Sequence, residues 1–378
     1  MPRRILLLEG GNAQGKTTLL EALFYGAAFS SPLVSSDKQL INFKALNDPL
    51  AVGRIVIDFE RDGQSHELEV RLIQDNTQGR FRREILMNGA KTTAQKCIGS
   101  FSAVLFLPQM TRILEGPPDE RRRCLNIMLA QSVPGYARAL SEYARILTQR
   151  NALLKTLGER GGDRSQLDYW DELLGRRAAV LILNRRKALT ALEVSGSEAH
   201  SALTNGQEKL RFIYQPSFDP ETNVSAPEPG EIREEEHREL TLEEASARFV
   251  RALHGMHENE IERGVTLIGP HRDDFSILGN DLNLGQYGSR GQIRTALLSL
   301  KMAEIKWMEA KLGSSPLLLL DETLAELDAA RGNDLLNWLE NYEQAILTTA
   351  DVRHFPAGFI SRQTVWQVEA GNLKKQAA

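Results

Sequence analysis

"LLLEGGNAQGKTTLLEAL", residues 6–23, is the stretch on which the fold turns. A short apolar run from Ile5 to Leu8 leads into a glycine-rich turn and then into "TTLLEALFYGA", which reads as a helix. Gly10, Gly15, Lys16 and Thr17 fit G-x-x-x-x-G-K-[ST] directly after a strand. Glycines at these points let successive backbone N–H groups converge on the β- and γ-phosphates of a nucleotide. A helix opening near Lys16 adds the positive end of its dipole. The candidate nucleotide-binding residues are Gly10, Gly11, Asn12, Ala13, Gln14, Gly15, Lys16, Thr17 and Thr18. Lys16 is expected to reach the terminal phosphates and Thr17 to offer its hydroxyl to Mg2+. A bare glycine turn is the alternative, and the strand before it and helix after it argue for the cradle.

Composition bounds what surrounds that cradle. A chain of 378 residues is expected to form two or three domains, and 42% hydrophobic with 25% charged residues is ordinary for a globular protein. No apolar run approaches the roughly 20 residues that span a bilayer. No charged-then-apolar leader is visible, and Cys97 and Cys124 stand far apart without ligand spacing. A reduced, cytoplasmic protein without a cysteine metal site is the expectation. The formal net charge of −4 means that any nucleic-acid binding must use a local basic patch.

Residues 50–90 read as strands. "HELEVRLI" alternates Leu68, Val70 and Leu72 with Glu67, Glu69 and Arg71, the period of a half-buried antiparallel strand, and "ERDGQSH" and "QDNTQGR" carry turn residues. The character changes over 134–205. Leu140, Ala144, Leu147, Asn151 and Leu154 recur at helical spacing, as do Leu167, Trp170, Leu174, Ala178 and Leu181 beyond "GERGGDRS". A helical hairpin is expected, its first limb about 25 residues and roughly 37 Å long. "YQPSFDPETNVSAPEPGEIREEEHREL" is rich in proline and acid and reads as a loop. From about residue 255 an α/β pattern returns with "GVTLIG", "SPLLLLDE" and "QAILTTAD". The expected division is a head over 1–133, an inserted helical arm over 134–254 and the rest of the head over 255–378.

The second half of the nucleotide site is expected in the last segment. "PLLLLDE" places Leu317 to Leu320 in a buried parallel strand that ends in Asp321 and Glu322. A carboxylate there holds Mg2+, and the next one polarises the attacking water, as the catalytic candidate. Solvation of a strand end is the bland reading of the pair, and the cradle argues against it. Gln109, after the apolar run Val104–Leu107, is a third polar candidate, so Thr17, Gln109 and Asp321 form the expected metal set. In "YGSRGQIRTALLSLKMAEI" a glycine-bearing loop of Ser289, Arg290, Gly291 and Gln292 opens a helix from Ile293 to about Glu309. Either Ser289 caps that helix in the ordinary way, or the loop binds phosphate as a second helix N-terminus. The loop stands close before the Asp321 strand in sequence. The economical arrangement is two copies facing each other, each Ser289 loop covering the ATP of its partner.

In this order the cradle, Gln109, "GSRGQ", "LLLLDE" and "AELD" resemble the ABC-type ATPase heads of the SMC-like group, and within it the RecF recombination-repair family. "EGPPDERRRCLNIMLAQ", "YARILTQRNALLK" and "GPHRDDFSILGN" are similar to that family as well, so the resemblance runs from Gly10 to about Asp351. It implies an α/β head with a mixed sheet, an antiparallel lobe and an inserted arm. It further implies an ATP-binding, weakly hydrolysing protein, more nucleotide switch than enzyme. Such a protein dimerises on ATP, binds single-stranded or gapped DNA and helps load recombinase with RecR- and RecO-type partners. Its setting is DNA replication, gap repair and the SOS response to DNA damage. Glu326, Leu327 and Asp328 fall on the family's D-loop. The family pattern also implies a further N-terminal strand before Met1. Arg290 stands where many RecF-like chains carry Gln, Asp321-Glu322 follows the general ABC pair, and "TTAD" replaces the switch histidine of transporter ATPases.

Arg80, Arg82 and Arg83 in "GRFRRE", Arg121, Arg122 and Arg123, and "NRRK" at 184–187 are candidates for DNA phosphate contacts. Such clusters also occur as solvated faces or ion-pair networks. His271, Arg272 and Asp273 of "GPHRDD" are better read as packed loop residues than as direct chemistry. The other function classes are an SMC-like structural tether, whose arm should be far longer, and a transporter ATPase subunit, against which the long arm between the half-sites argues.

Overall fold

The computed structural model describes residues 4–221, 240–327 and 329–375. Among them are strands β1 (Ile5–Glu9), β2 (Leu50–Arg61), β3 (Gln64–Asp75), β4 (Arg80–Met87), β5 (Ala90–Thr92), β6 (Ala103–Phe106) and β7 (Leu210–Gln215). They continue with β8 (Asp274–Gly279), β9 (Leu282–Asn283), β10 (Leu317–Leu320), β11 (Ala345–Thr349), β12 (Thr364–Glu369) and β13 (Asn372–Lys375). The longer helices are α1 (Lys16–Ala28), α2 (Pro118–Ser132), α3 (Tyr136–Arg160), α4 (Gln166–Leu203), α5 (Leu242–Arg263), α6 (Arg290–Leu312) and α7 (Ala329–Leu339).

The chain folds as two compact units. One holds residues up to 111, 130–132 and those from 304; the other holds 112–129 and 133–303. In the first, a six-stranded sheet runs β13-β12-β1-β11-β10-β6, parallel throughout except for β13. Strands β1, β6, β10 and β11 are apolar and buried along almost their whole length, as a parallel sheet covered on both faces requires. A second sheet, β2-β3-β4-β5, is a fully antiparallel meander. Asp62-Gly63 and Asn88-Gly89 take positive φ at its two tight turns, the conformation a two-residue hairpin demands. Helix α1 packs against β6, β10 and β11, while Tyr25 and Phe29 near its end join Leu68, Val70, Leu72 and Ile85 of the antiparallel sheet in one core.

The alternation along β3 is observed, with one change. Glu69 is buried beside Leu68 and Val70 because Arg54 and Arg71 close over its carboxylate at 2.5 and 2.8 Å. Hydrogen bonds from Arg71 and Arg54 hold its pKa down at about 2.

In the second unit, α3 has the expected 25 residues and α4 runs for 38. The inward stripe of α3 is Tyr136, Ala139, Tyr143, Ile146, Arg150, Leu154 and Leu157, whereas Ala144 is exposed. The stripe expected from Leu140, Ala144 and Leu147 is therefore rotated. Two tyrosines and an arginine point inward with hydrogen-bond partners, and a count of aliphatic residues passes over them. The expected hairpin is a three-helix packing, since α5 lies against both α3 and α4. Its start is a capping box: Thr241 Oγ1 accepts from the Glu244 N–H, and the Glu244 carboxylate accepts from the Thr241 N–H. "GVTLIG" forms a turn rather than a strand, and the boundary expected at 254 falls inside α5. Strand β7 pairs antiparallel with β8, so residues on both sides of 254 share one small sheet.

Candidate nucleotide-binding site

The site in the first unit grows from the end of β1. Gly15 takes φ of +99° at the head of α1, a left-handed conformation that favours glycine. Gly10 faces a different constraint: a Cβ there would lie 2.4 Å from the carbonyl oxygen of Val368. The turn is clipped to the β12–β13 hairpin, where the Gly371 N–H donates to Gln14 O at 2.9 Å and the Ala370 N–H to Gln14 Oε1 at 2.7 Å. Gln14 thus positions the loop as well as lining it.

Lys16 is buried, its Nζ donating to Gly10 O at 2.6 Å and Gly11 O at 3.0 Å and lying 3.3 Å from the Glu322 carboxylate. Thr17 Oγ1 donates to Asp321 Oδ2 at 2.8 Å, joining residues more than 300 apart in sequence. The other oxygen, Asp321 Oδ1, accepts from Thr348 Oγ1 at 2.7 Å, and Thr348 Oγ1 in turn accepts from the Glu322 N–H at 3.0 Å. Strand β11 lies between β1 and β10, so a hydroxyl at its end is the group that reaches both acidic residues. Thr348 was legible only as part of "TTAD"; that it orients Asp321 depends on strand order. Glu322 takes φ of +45°, a left-handed conformation costing about 1–3 kcal/mol for residues other than glycine and concentrated at functional sites.

Residues 12–18, Pro108, Gln109, Asp321 and Glu322 line one open cavity of about 470 Å3. Its volume is within the range of small-ligand sites. A hydroxyl oxygen and a carboxylate oxygen side by side, with the Gln109 amide on the same wall, make an all-oxygen donor set that suits Mg2+. The cradle, the acid pair and Gln109, far apart in sequence, therefore meet at one place.

The loop of residues 289–292 lies in the second unit. Ser289 Oγ accepts from the Gln292 N–H at 3.3 Å, and Gln292 Oε1 accepts from the Ser289 N–H at 2.9 Å, a reciprocal cap on α6. Gln292 Nε2 also donates to Glu208 Oε1 at 2.8 Å, while Arg290 and Gly291 are exposed. Of the D-loop residues, Leu327 is half-buried, nothing is described of the Glu326 side chain, and Asp328 lies outside the described residues.

The basic clusters divide. Arg121 pairs with both oxygens of Asp274 at 2.6 and 2.8 Å and donates to Gly116 O; Arg122 donates to Asp273 O at 2.6 Å and pairs with Asp119. Both guanidinium groups thus have partners within the fold, the ion-pair network that stood as the alternative to DNA contacts. Arg123 is half-buried. Arg185 is buried against Asp273, Pro270 O and Asn126, and Arg186 pairs with Asp219 and Glu221. Arg80, Arg82 and Arg83 of the β4 cluster are all exposed, but Arg83 is tied to Asp37, Tyr25 and Phe29 O and Arg82 lies 3.6 Å from Glu84. "GPHRDD" is a packing knot. Asp273 accepts from Tyr214, Arg185 and Ser217, and His271 Nδ1 meets the Tyr143 hydroxyl at 2.7 Å.

Strand, glycine turn, helix and distant acid pair, set in a mixed sheet with an antiparallel lobe and an inserted helical arm, define a P-loop nucleotide-binding head of the ABC type. No protein-family model matches the chain. It is 37% identical over 383 residues to the DNA replication and repair protein RecF of Chloroflexus aggregans, covering 97% of this chain and 93% of that one. It is 35% identical over 371 residues to RecF of Halalkalibacterium halodurans, at 98% and 93% coverage. The solved structure of the recombination mediator protein RecF-ATP in the RecFOR pathway superposes with a TM-score of 0.80 at 28% identity, covering 100% of this chain and 92% of that one. The chain belongs to the RecF family of DNA replication and repair proteins.

Proposed function

We propose that this protein is an ATP-gated DNA-binding switch of replication and recombinational gap repair. The observation that carries the reading is the hydrogen bond from Thr17 Oγ1 to Asp321 Oδ2, which sets the strand-end acid against the cradle. The solved RecF-ATP relative supports ATP as the nucleotide. Residues Gly10 to Thr18 hold the phosphates through backbone N–H groups, and Lys16 leaves the Gly10 and Gly11 carbonyls for the terminal phosphate. Thr17, Asp321 and Gln109 would hold Mg2+, which would supply positive charge against the nucleotide's phosphates. Glu322 accepts a proton from the attacking water. Ser289, Arg290, Gly291 and Gln292 of a second copy close over the γ-phosphate, with Glu326, Leu327 and Asp328 alongside. Hydrolysis is slow and resets the switch.

The DNA partner is single-stranded or gapped, held through phosphates by exposed cations such as Arg80 and Arg82, so binding is nearly sequence-blind and falls steeply with salt. The solved relatives' place in the RecFOR pathway supports RecR- and RecO-type mediators as partners; in this reading recombinase loading is the outcome and the SOS response the setting. The compartment is the cytoplasm. Among the described residues no helix is long and apolar enough to cross a membrane.

Gel filtration with ATP, with ADP and without nucleotide, each with and without gapped DNA, tests this. The expected result is a shift to dimer mass with ATP alone, abolished in a folded Lys16→Ala variant that binds ATP weakly by calorimetry. Association indifferent to nucleotide, or equal ATP affinity in the variant, overturns it.

A further inference from the structure

We infer that the helical unit carries a second cation site, for a divalent transition metal of the zinc class, built from His254, His257, Asp171 and Asp168. The two histidines are three residues apart on α5 and the two aspartates three apart on α4, so each pair lies on one helix face. His257 Nε2 lies 2.6 Å from Asp171 Oδ2, and His254 Nε2 lies 3.6 Å from both Asp171 Oδ2 and Asp168 Oδ1. One ligand atom each from Asp171, His254 and His257 falls within 4.8 Å of the others. Bonds of about 2.0–2.1 Å in a tetrahedral site separate neighbouring ligand atoms by roughly 3.4 Å. His254 already stands at that spacing. The His257–Asp171 contact lengthens by about 1 Å as Nε2 exchanges its proton for the metal.

Two further features favour a cation here. Asp171 is wholly buried, and its other oxygen, Oδ1, is held by Arg150 Nε at 2.7 Å, which fixes the carboxylate with Oδ2 turned to the histidines. Metal-binding carboxylates are commonly oriented in this way by an outer partner. Arg150 also pairs with the buried Glu260 at 2.7 Å. One buried guanidinium thus faces two buried carboxylates, and the net negative charge is offset by whatever cation the histidines bring. Their rings lie at the edge of the unit, His254 about half exposed and His257 at 16%, so the site opens to solvent. Two imidazoles with carboxylate select Zn2+, Co2+, Ni2+ or Cu2+ over Mg2+ and Ca2+. The metal would clamp α4 to α5, independently of the nucleotide site.

The test is titration of the full-length, nucleotide-free protein with Co2+, read by its visible absorption, with Zn2+ displacing it and excess Mg2+ not. The expected result is one Co2+ per chain, a thermal midpoint raised several degrees by Zn2+, and both signals retained in Lys16→Ala. A His254→Gln, His257→Gln double variant loses the spectrum and the thermal shift. His254→Gln alone, at the more exposed position, weakens binding about tenfold or more with the fold intact. Absence of a one-to-one Co2+ spectrum, or binding unchanged in either variant, overturns the proposal.

Discussion

At the scale of single residues, the nucleotide site is a matter of which oxygen each side chain presents. Asp321 has both oxygens occupied, one by Thr17 and one by Thr348, so its carboxylate is fixed before any ion arrives. Thr348 does not line the cavity beside the cradle and acts as a positioning residue. Thr348→Val keeps shape and volume but removes the hydroxyl, costing about 1–1.5 kcal/mol, or roughly tenfold. The expected outcome is an approximately tenfold higher Mg2+ requirement for ATP-dependent association, with ATP affinity in the absence of Mg2+ unchanged. Titration of Mg2+ against dimer formation reads this directly. An unchanged Mg2+ requirement would remove Thr348 from the site.

At the scale of elements, the second unit is organised around buried polar groups. The turn carrying "GPHRDD" sits between α3 and β8 and binds both. His271 Nδ1 lies 2.7 Å from the Tyr143 hydroxyl and Nε2 3.3 Å from Thr266 O, contacts that a neutral ring protonated on Nε2 makes as acceptor and donor. Burial pushes its pKa down to about 4. Above pH 6.5 the ring is neutral folded and unfolded, and its contribution is fully present. As pH falls from about 6.5 to 4, the unfolded chain takes up a proton that the folded one resists. Stability of about 3 kcal/mol is lost across that window. Urea unfolding followed at several pH values should show a steeper acid loss in the parent than in His271→Asn, with the carboxylates common to both cancelling in the difference. Parallel curves would show that His271 takes up its proton as readily in the folded unit as in the unfolded chain.

At the scale of the whole molecule, the proposed facing-heads arrangement makes a demand that no single-chain site shares. Under it, Lys16→Ala and Ser289→Arg each inactivate both sites of their own homodimer. Mixed together, they form heterodimers with one doubly damaged site and one intact site. Random pairing makes half the dimers mixed, so about a quarter of parental sites return. Partial recovery of ATP turnover in the mixture is the expected outcome, measured against each variant alone. Activity that stays at baseline in a mixture shown to contain heterodimers rules out independent sites formed in trans.

What the sequence determined alone was local chemistry at fixed spacing. The glycine turn, the strands into and beside it, the acid pair, the antiparallel hairpins and the first two arm helices follow from short-range rules of turn conformation, hydrophobic period and dipole direction, whereas the arm's inward face and its end do not. The Thr241–Glu244 capping box was legible in the same way and marks the third arm helix that the acidic stretch before it obscured. Tertiary structure decided whatever depends on who stands opposite. The arginines of 121–122 and 185–186 look alike in a sequence to those of 80–82, yet only folding brings Asp274, Asp273 and Asp219 to the first group. The inward face of α3 follows the same logic, since Arg150 is buried only because Asp171 and Glu260 arrive from two other helices. A charge's environment is set by neighbours distant in sequence, and its cost of burial is met or not met there.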